Sequence, residues 1–159
     1  MKTQMVETPP AAGAEGAPTA YENDVILWAE EQARFLREGR FSELDIEHLA
    51  DEIEDVGKSE KRELASRMAV LVAHLLKWRH QPEKRSKSWR TTIIVQRQGI
   101  DSALSETPSL RTVLRDPAWQ KRIWGDALTQ ALRETGLEDL PDACPWSMDE
   151  ARDPEFWPD

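Results

Sequence analysis

The sequence predicts an all-α protein: an antiparallel helical bundle around a central helix at about residues 59–81, with additional C-terminal helices and an extended acidic tail. Three observations carry that expectation. Residues 68–76 are apolar except for His74, so a helix there is greasy on nearly every side and has to sit in the middle of something. The segments before and after it repeat their apolar residues at the helical period. The one run that favours a strand, residues 91–95, has no second strand to pair with.

Residues 1–20 are rich in Ala, Pro, Gly and Thr without periodicity and are expected to be a disordered tail. Residues 21–159 are expected to form a single helical domain, with 138–159 wrapping the bundle. Asn23 or Asp24 caps a first helix whose apolar stripe is Val25, Trp28, Phe35 and Leu36, and Gly39 stops it. Asp45 caps a second, with Ile46, Leu49, Ala50 and Ile53 at helical spacing and Gly57 as its end. Ser59 caps the central helix, and Pro82 ends it by removing a backbone donor.

Five β-branched residues at 91–95 favour a strand taken alone. However, Trp89, Ile93, Arg97, Ile100 and Leu104 recur at helical spacing, so period and context predict a helix. Thr107-Pro108 opens a short helical turn and Asp116-Pro117 a longer helix that Gly136 ends. Four prolines after Gly136 preclude one long helix there. Ser147-x-x-Glu150 can cap a single turn, and Trp146 and Trp157 are placed to anchor the tail.

A chain of 159 residues with net charge −9 is long enough for a real core. Its acidity disfavours nucleic acid and anionic lipid as general partners. The charge is blocked: residues 22–55 hold twelve acids and three bases, 77–97 seven bases and one acid, and 138–159 eight acids and one base. The single cysteine, Cys144, precludes an intramolecular disulfide and suits a cytoplasmic location. No apolar run reaches the roughly 18 residues of a membrane span.

Four features invite a chemical reading, each with a plainer one beside it. Asp45-x-x-His48, with Glu52 and His74, offers candidate metal ligands, yet Asp45 is better explained as a helix cap and the Glu-x-x-His pairs of dimetal bundles are missing. Cys144 would need a base and an oxyanion hole to act as nucleophile; between Ala143 and Pro145 it reads as a small packed residue. The basic elbow at 77–97, interleaved with Trp78 and Trp89, suits single-stranded nucleic acid, a solvated turn, or an acidic partner such as the protein's own acidic segments. His74 reads as a core histidine that needs partners for its ring nitrogens.

A reversal at Gly57-Lys58 would set Asp45 opposite about residue 70, and one after Pro82 would set Arg97 opposite about residue 71. Asp45, His74, Lys77 and Arg97 are therefore expected to converge at one bundle end, as a polar plug fixing register or as a catalytic cluster.

Tyr21-x-x-Asp24 with Trp28, then Leu36-Arg37-x-Gly39-x-Phe41-x-x-Leu44-Asp45, resembles the opening of the domain of unknown function 29 family. Glu52-Ile53-Glu54 with Gly57, His74-Leu75-Leu76-Lys77-Trp78 with Pro82, and Ser88-Trp89 followed by Ile93 and Arg97 are similar to the same family. Ser109-Leu110 and Cys144-Pro145-Trp146 extend the likeness over roughly residues 21–156, with Asp51 where the family more often has glutamate. The resemblance implies a bacterial, all-helical domain and assigns no activity.

The expected function is that of a protein-interaction or adaptor module without a cofactor, its partner another protein, with a homo-oligomer left open. The alternatives are a metal-dependent hydrolase built on the second helix and His74, and nucleic-acid binding through the elbow.

Overall fold

Six α-helices and two short 3-10 turns account for the regular structure of residues 16–159, the part that the computed structural model describes. Of the tail expected at 1–20, residues 1–15 lie outside the described residues. No strand occurs among the described residues, and residues 91–95 are helical. Two compact units divide the chain, Met1–Glu54 and Asp55–Asp159.

In the first unit, α1 (Val25–Glu38) begins at Asp24, whose side chain accepts from the amides of Ile26 and Leu27. It ends at Gly39, which takes the left-handed conformation at φ 71° that glycine adopts without steric cost. A 3-10 turn, Phe41–Glu43, leads to α2 (Ile46–His80). Tyr21 meets Glu52, Trp28 meets Asp45 and His48, and Gln32 meets Asp45. Partners that descend along α2 as they ascend along α1 make an antiparallel helical hairpin.

The second unit is built on the later part of α2, where Leu64, Met68, Leu71, Val72, Ala73, Leu75 and Leu76 are inaccessible to solvent. Helix α3 (Lys87–Glu106) lies antiparallel to it, since Lys77 reaches Trp89 while Arg67 reaches Gln96. After α4 (Leu110–Leu114), α5 (Pro117–Thr135) starts on an Asp116 cap and stops at left-handed Gly136. It runs in the same direction as α2: Ser66 and Asp126 line one groove, and further along both helices Lys77 pairs with Glu134. The bundle is thus antiparallel for α2 and α3 and parallel for α2 and α5. The tail turns once as α6 (Met148–Arg152), opened by a capping box between Ser147 and Glu150.

One expected boundary is corrected. The second and central helices are a single 35-residue helix, with Gly57, Lys58 and Ser59 all inside it. A mid-helix glycine costs about 1 kcal/mol relative to alanine, which strong helix formers on both sides outweigh. Gly57 does not take the positive φ that makes Gly39 and Gly136 stops. No reversal occurs at Gly57-Lys58, so the geometry that was to bring Asp45 alongside His74, Lys77 and Arg97 is absent.

A Cβ at Gly57 would meet nothing within 4 Å. Gly57→Ala should therefore raise the unfolding free energy by about 1 kcal/mol. Gly39→Ala should lower it by about 1 kcal/mol, because alanine is strained in the left-handed region. Urea denaturation of the two variants checks the opposite signs; a loss at Gly57 would contradict an uninterrupted helix.

Candidate functional site

The sequence-selected residues fall into two groups, one in each unit. In the first, Asp45 sits at the N-terminus of α2, where its Oδ1 accepts from the His48 amide at 3.3 Å. Its Oδ2 receives the Trp28 indole N–H at 3.1 Å and lies 2.7 Å from His48 Nδ1. The Asp45 amide donates to Gln32, a buried amide within the apolar stripe of α1. Tyr21 stacks on His48 with ring centroids 4.3 Å apart and donates to Glu52 at 2.5 Å.

His48 and Asp45 shift in opposite directions. The hydrogen bond to Asp45 raises the His48 pKa above its ordinary value. Loss of water contact acts to raise Asp45, but the hydrogen bonds from His48 and Trp28 outweigh it and lower its pKa. The group is a cap joined to an aromatic clamp that sets the hairpin's register.

The same hairpin leaves an apolar face uncovered. Val25, Ala29 and Leu36 fall within about 40° of arc on α1, and Ile46, Ala50 and Ile53 within about 60° on α2, at 100° per residue. Each stripe is displaced in the same rotational sense from its helix's inward line. Because the helices run oppositely, both stripes emerge on one side. Ile46 is 64% exposed and Ile53 72%, and Phe41 in the connecting turn is 66% exposed.

In the second unit, His74 and Lys77 share a face near the end of α2. Lys77 is only 4% exposed; its ammonium pairs with the Glu134 carboxylate, lies 3.4 Å from His74 Nε2 and sits 4.8 Å from the Trp89 ring centroid. His74 Nδ1 bonds the Val70 carbonyl at 2.8 Å, so that nitrogen carries the proton and Nε2 accepts from Lys77. Burial lowers the His74 pKa, with Lys77 acting in the same direction. The hydrogen bond from Lys77 holds Glu134 below its ordinary carboxylate value.

Arg97 belongs to another contact of this unit. It is 3% exposed, and its guanidinium donates to the carbonyls of Ala151, Pro154 and Phe156 at 2.9, 3.4 and 2.6 Å. Arg90 and Arg97 both lie over the Trp157 ring, which also packs on Trp78 at 4.9 Å. Arg85 donates to the Pro158 carbonyl at 3.3 Å. The basic elbow thus receives the protein's own tail, through main-chain carbonyls and a tryptophan rather than through the acidic side chains.

Of the candidate residues, Asp45 and His48 meet, His74 and Lys77 meet, and Glu52 contacts Tyr21. Among the described residues no three His, Cys, Asp or Glu side chains assemble as a potential metal site. Burial pushes the Cys144 thiol above its ordinary value, which works against a thiolate nucleophile. Sequence reasoning did not select Gln32 or Glu134, and it placed Trp89 in the elbow without pairing it with Lys77. Gln32 carried a signal, being a polar residue four positions after Trp28 on the buried stripe, whereas Glu134 carried none because its placement depends on the direction of α5.

A family model described as Domain of unknown function DUF29 matches residues 20–157. The chain belongs to this family. No curated protein and no solved structure matched it. The DUF29 match spans both groups and the tail that Arg97 holds.

Two predictions follow from these contacts. Ring titration by NMR should place His48 above 6.5 and His74 below it. The stabilisation of charged His48 is complete below 6.5 and is lost as pH rises through its folded value. His74 works oppositely: stability falls as pH drops below 6.5 toward its folded value, because the unfolded chain takes up the proton first. A shared midpoint for both rings would contradict the two environments. Arg97→Met should cost about 2–4 kcal/mol in urea unfolding and expose the tail to carboxypeptidase digestion; wild-type stability and resistance would remove the latch.

Proposed function

We propose that the chain is a protein-interaction module, cytoplasmic and adaptor-like, that docks another protein on the open face of the first unit's helical hairpin. The apolar stripe pair carries this reading. Among the described residues of the first unit, seven large hydrophobic side chains are at least 44% exposed: Val25, Leu36, Ile46 and Ile53 on the stripes, Phe41 in the connecting turn, and Ile26 and Leu27 elsewhere on α1. The second unit, about twice as long, has two at that level, Val56 and Val95, with Leu132 at 40% and Ile94 at 38%. Contiguous exposed apolar surface on one side of a small helical unit is what a binding partner covers.

The polar groups support the same reading, because their valences are already used. Asp45 accepts from Trp28 and His48, and Lys77 is held by Glu134, His74 and Trp89. Arg85 and Arg97 bond the chain's own tail rather than presenting free charge to a nucleic acid.

A photo-cross-linking residue at Ile53, in the full chain produced in its native cells, should give a discrete higher-mass adduct. The same residue at exposed Gln98 on α3 should give none. Absence of an adduct at Ile53, or equal adducts at both positions, would remove the interaction reading.

A further inference from the structure

The hairpin face also specifies what covers it. We infer that the partner contributes one amphipathic helix flanked by Lys or Arg, laid along Val25, Ala29 and Leu36 of α1 and Ile46, Ala50 and Ile53 of α2. This inference rests on the interaction reading and adds the chemistry of the partner.

Shape comes first. Two antiparallel helices with apolar stripes on the same side form a shallow groove, and a third helix fills such a groove with residues at i, i+3, i+4 and i+7. Ala29 and Ala50 set small side chains within the stripes, so the incoming backbone can approach closely. The stripe from Val25 to Leu36 is eleven residues of rise, roughly 16 Å, so about three to four turns of partner helix suffice.

Charge then selects the occupant. Residues 22–54 hold eleven acids and three bases, and Glu30, Glu47 and Asp51 are exposed on the same two helices. A second copy would bring like charges together across the face, and an anionic membrane would be repelled in the same way. Basic flanks gain from the same field, which raises the association rate and selects against neutral or acidic helices.

The test uses the full chain and two fluorescent helical peptides with identical leucine faces, one with lysine flanks and one with glutamate flanks. The lysine peptide should bind at least tenfold more tightly by anisotropy. Ile46→Lys with Ile53→Lys should weaken it at least tenfold, while Val95→Lys in the second unit should not. Both sites are exposed, so the variants should fold, and circular dichroism checks that they do. Independently of any variant, the peptide should shift the methyl resonances of Val25, Leu36 and Ile53.

Equal binding of the two peptides would overturn the charge selection. Binding insensitive to the double substitution, or methyl shifts confined to the second unit, would overturn the site. Sedimentation equilibrium showing a dimer that Ile53→Lys dissociates would assign the face to a second copy and overturn the inference. A cross-link at Ile53 without lysine-peptide binding would leave the interaction function standing and remove this partner.

Discussion

A helix that is apolar on nearly every side has to be enclosed, and that constraint organises the second unit. Between Leu64 and Leu76, α2 leaves only a narrow strip to solvent: Ser66 is exposed and Arg67, Val70 and His74 are half-buried, while Leu64, Met68, Leu71, Val72, Ala73, Leu75 and Leu76 are all inaccessible. One neighbouring helix covers about a third of such a rod, so α3, α4, α5 and the tail are all required. Ile93, Ile100 and Leu104 arrive from α3, Leu110 and Leu114 from α4, Ile123, Trp124, Ala127 and Ala131 from α5, and Trp146, Met148 and Ala151 from the tail. At roughly 25 cal/mol per Å² of apolar surface removed from water, enclosure of this kind is the dominant stabilising contribution.

Enclosure explains why the tail must be held and how. Segments with Pro141, Pro145, Pro154 and Pro158 cannot form a long helix, so their carbonyls lack intrachain ladder partners. Arg97 supplies donors to three of them from within α3, and Arg85 to a fourth. Guanidinium suits this role because its planar set of donors stays charged when buried, although burial lowers its pKa. Trp157, clasped between Trp78 and two arginines, packs the tail against the core.

Much of this was legible in the sequence because it rests on local chemistry. The caps at Asp24, Asp116 and Ser147 and the left-handed stops at Gly39 and Gly136 are properties of a few consecutive residues. The helical state of residues 91–95 was legible for a different reason, since Trp89, Ile93 and Arg97 held the helical period through a strand-favouring run. Gly57 misled because glycine marks a stop only when its φ turns positive, and flanking helix formers decide that outcome. That single boundary also governed the expected site: without a reversal at Gly57-Lys58, Asp45 caps a hairpin in one unit while His74 and Lys77 are fixed in the other. Glu134, the true counter-ion of Lys77, was illegible because nothing local states that α5 runs parallel to α2.

The two halves of α2 meet opposite demands, and the contrast locates the unmet one. In the second unit the exceptional groups are the buried charges Lys77 and Arg97, and both are matched. Lys77 has a carboxylate, an imidazole nitrogen and an aromatic face; Arg97 has three carbonyls. A matched buried charge fixes register and has little left for a ligand. In the first unit the exceptional groups are apolar ones in an aqueous setting. Tyr21, Trp28, Gln32 and Asp45 spend their hydrogen bonds clamping the inward side of the hairpin, which leaves Ile46, Ile53 and Leu36 nothing to cover them within that unit. Each such side chain forgoes roughly half to three quarters of the about 1.5–3 kcal/mol that full burial gives, and a rigid clamp on the inner side keeps the hairpin from rotating to hide them. What the first unit leaves uncovered is therefore apolar area on a preformed surface of an acidic unit, and the proposed partner helix would recover that area without first having to order it.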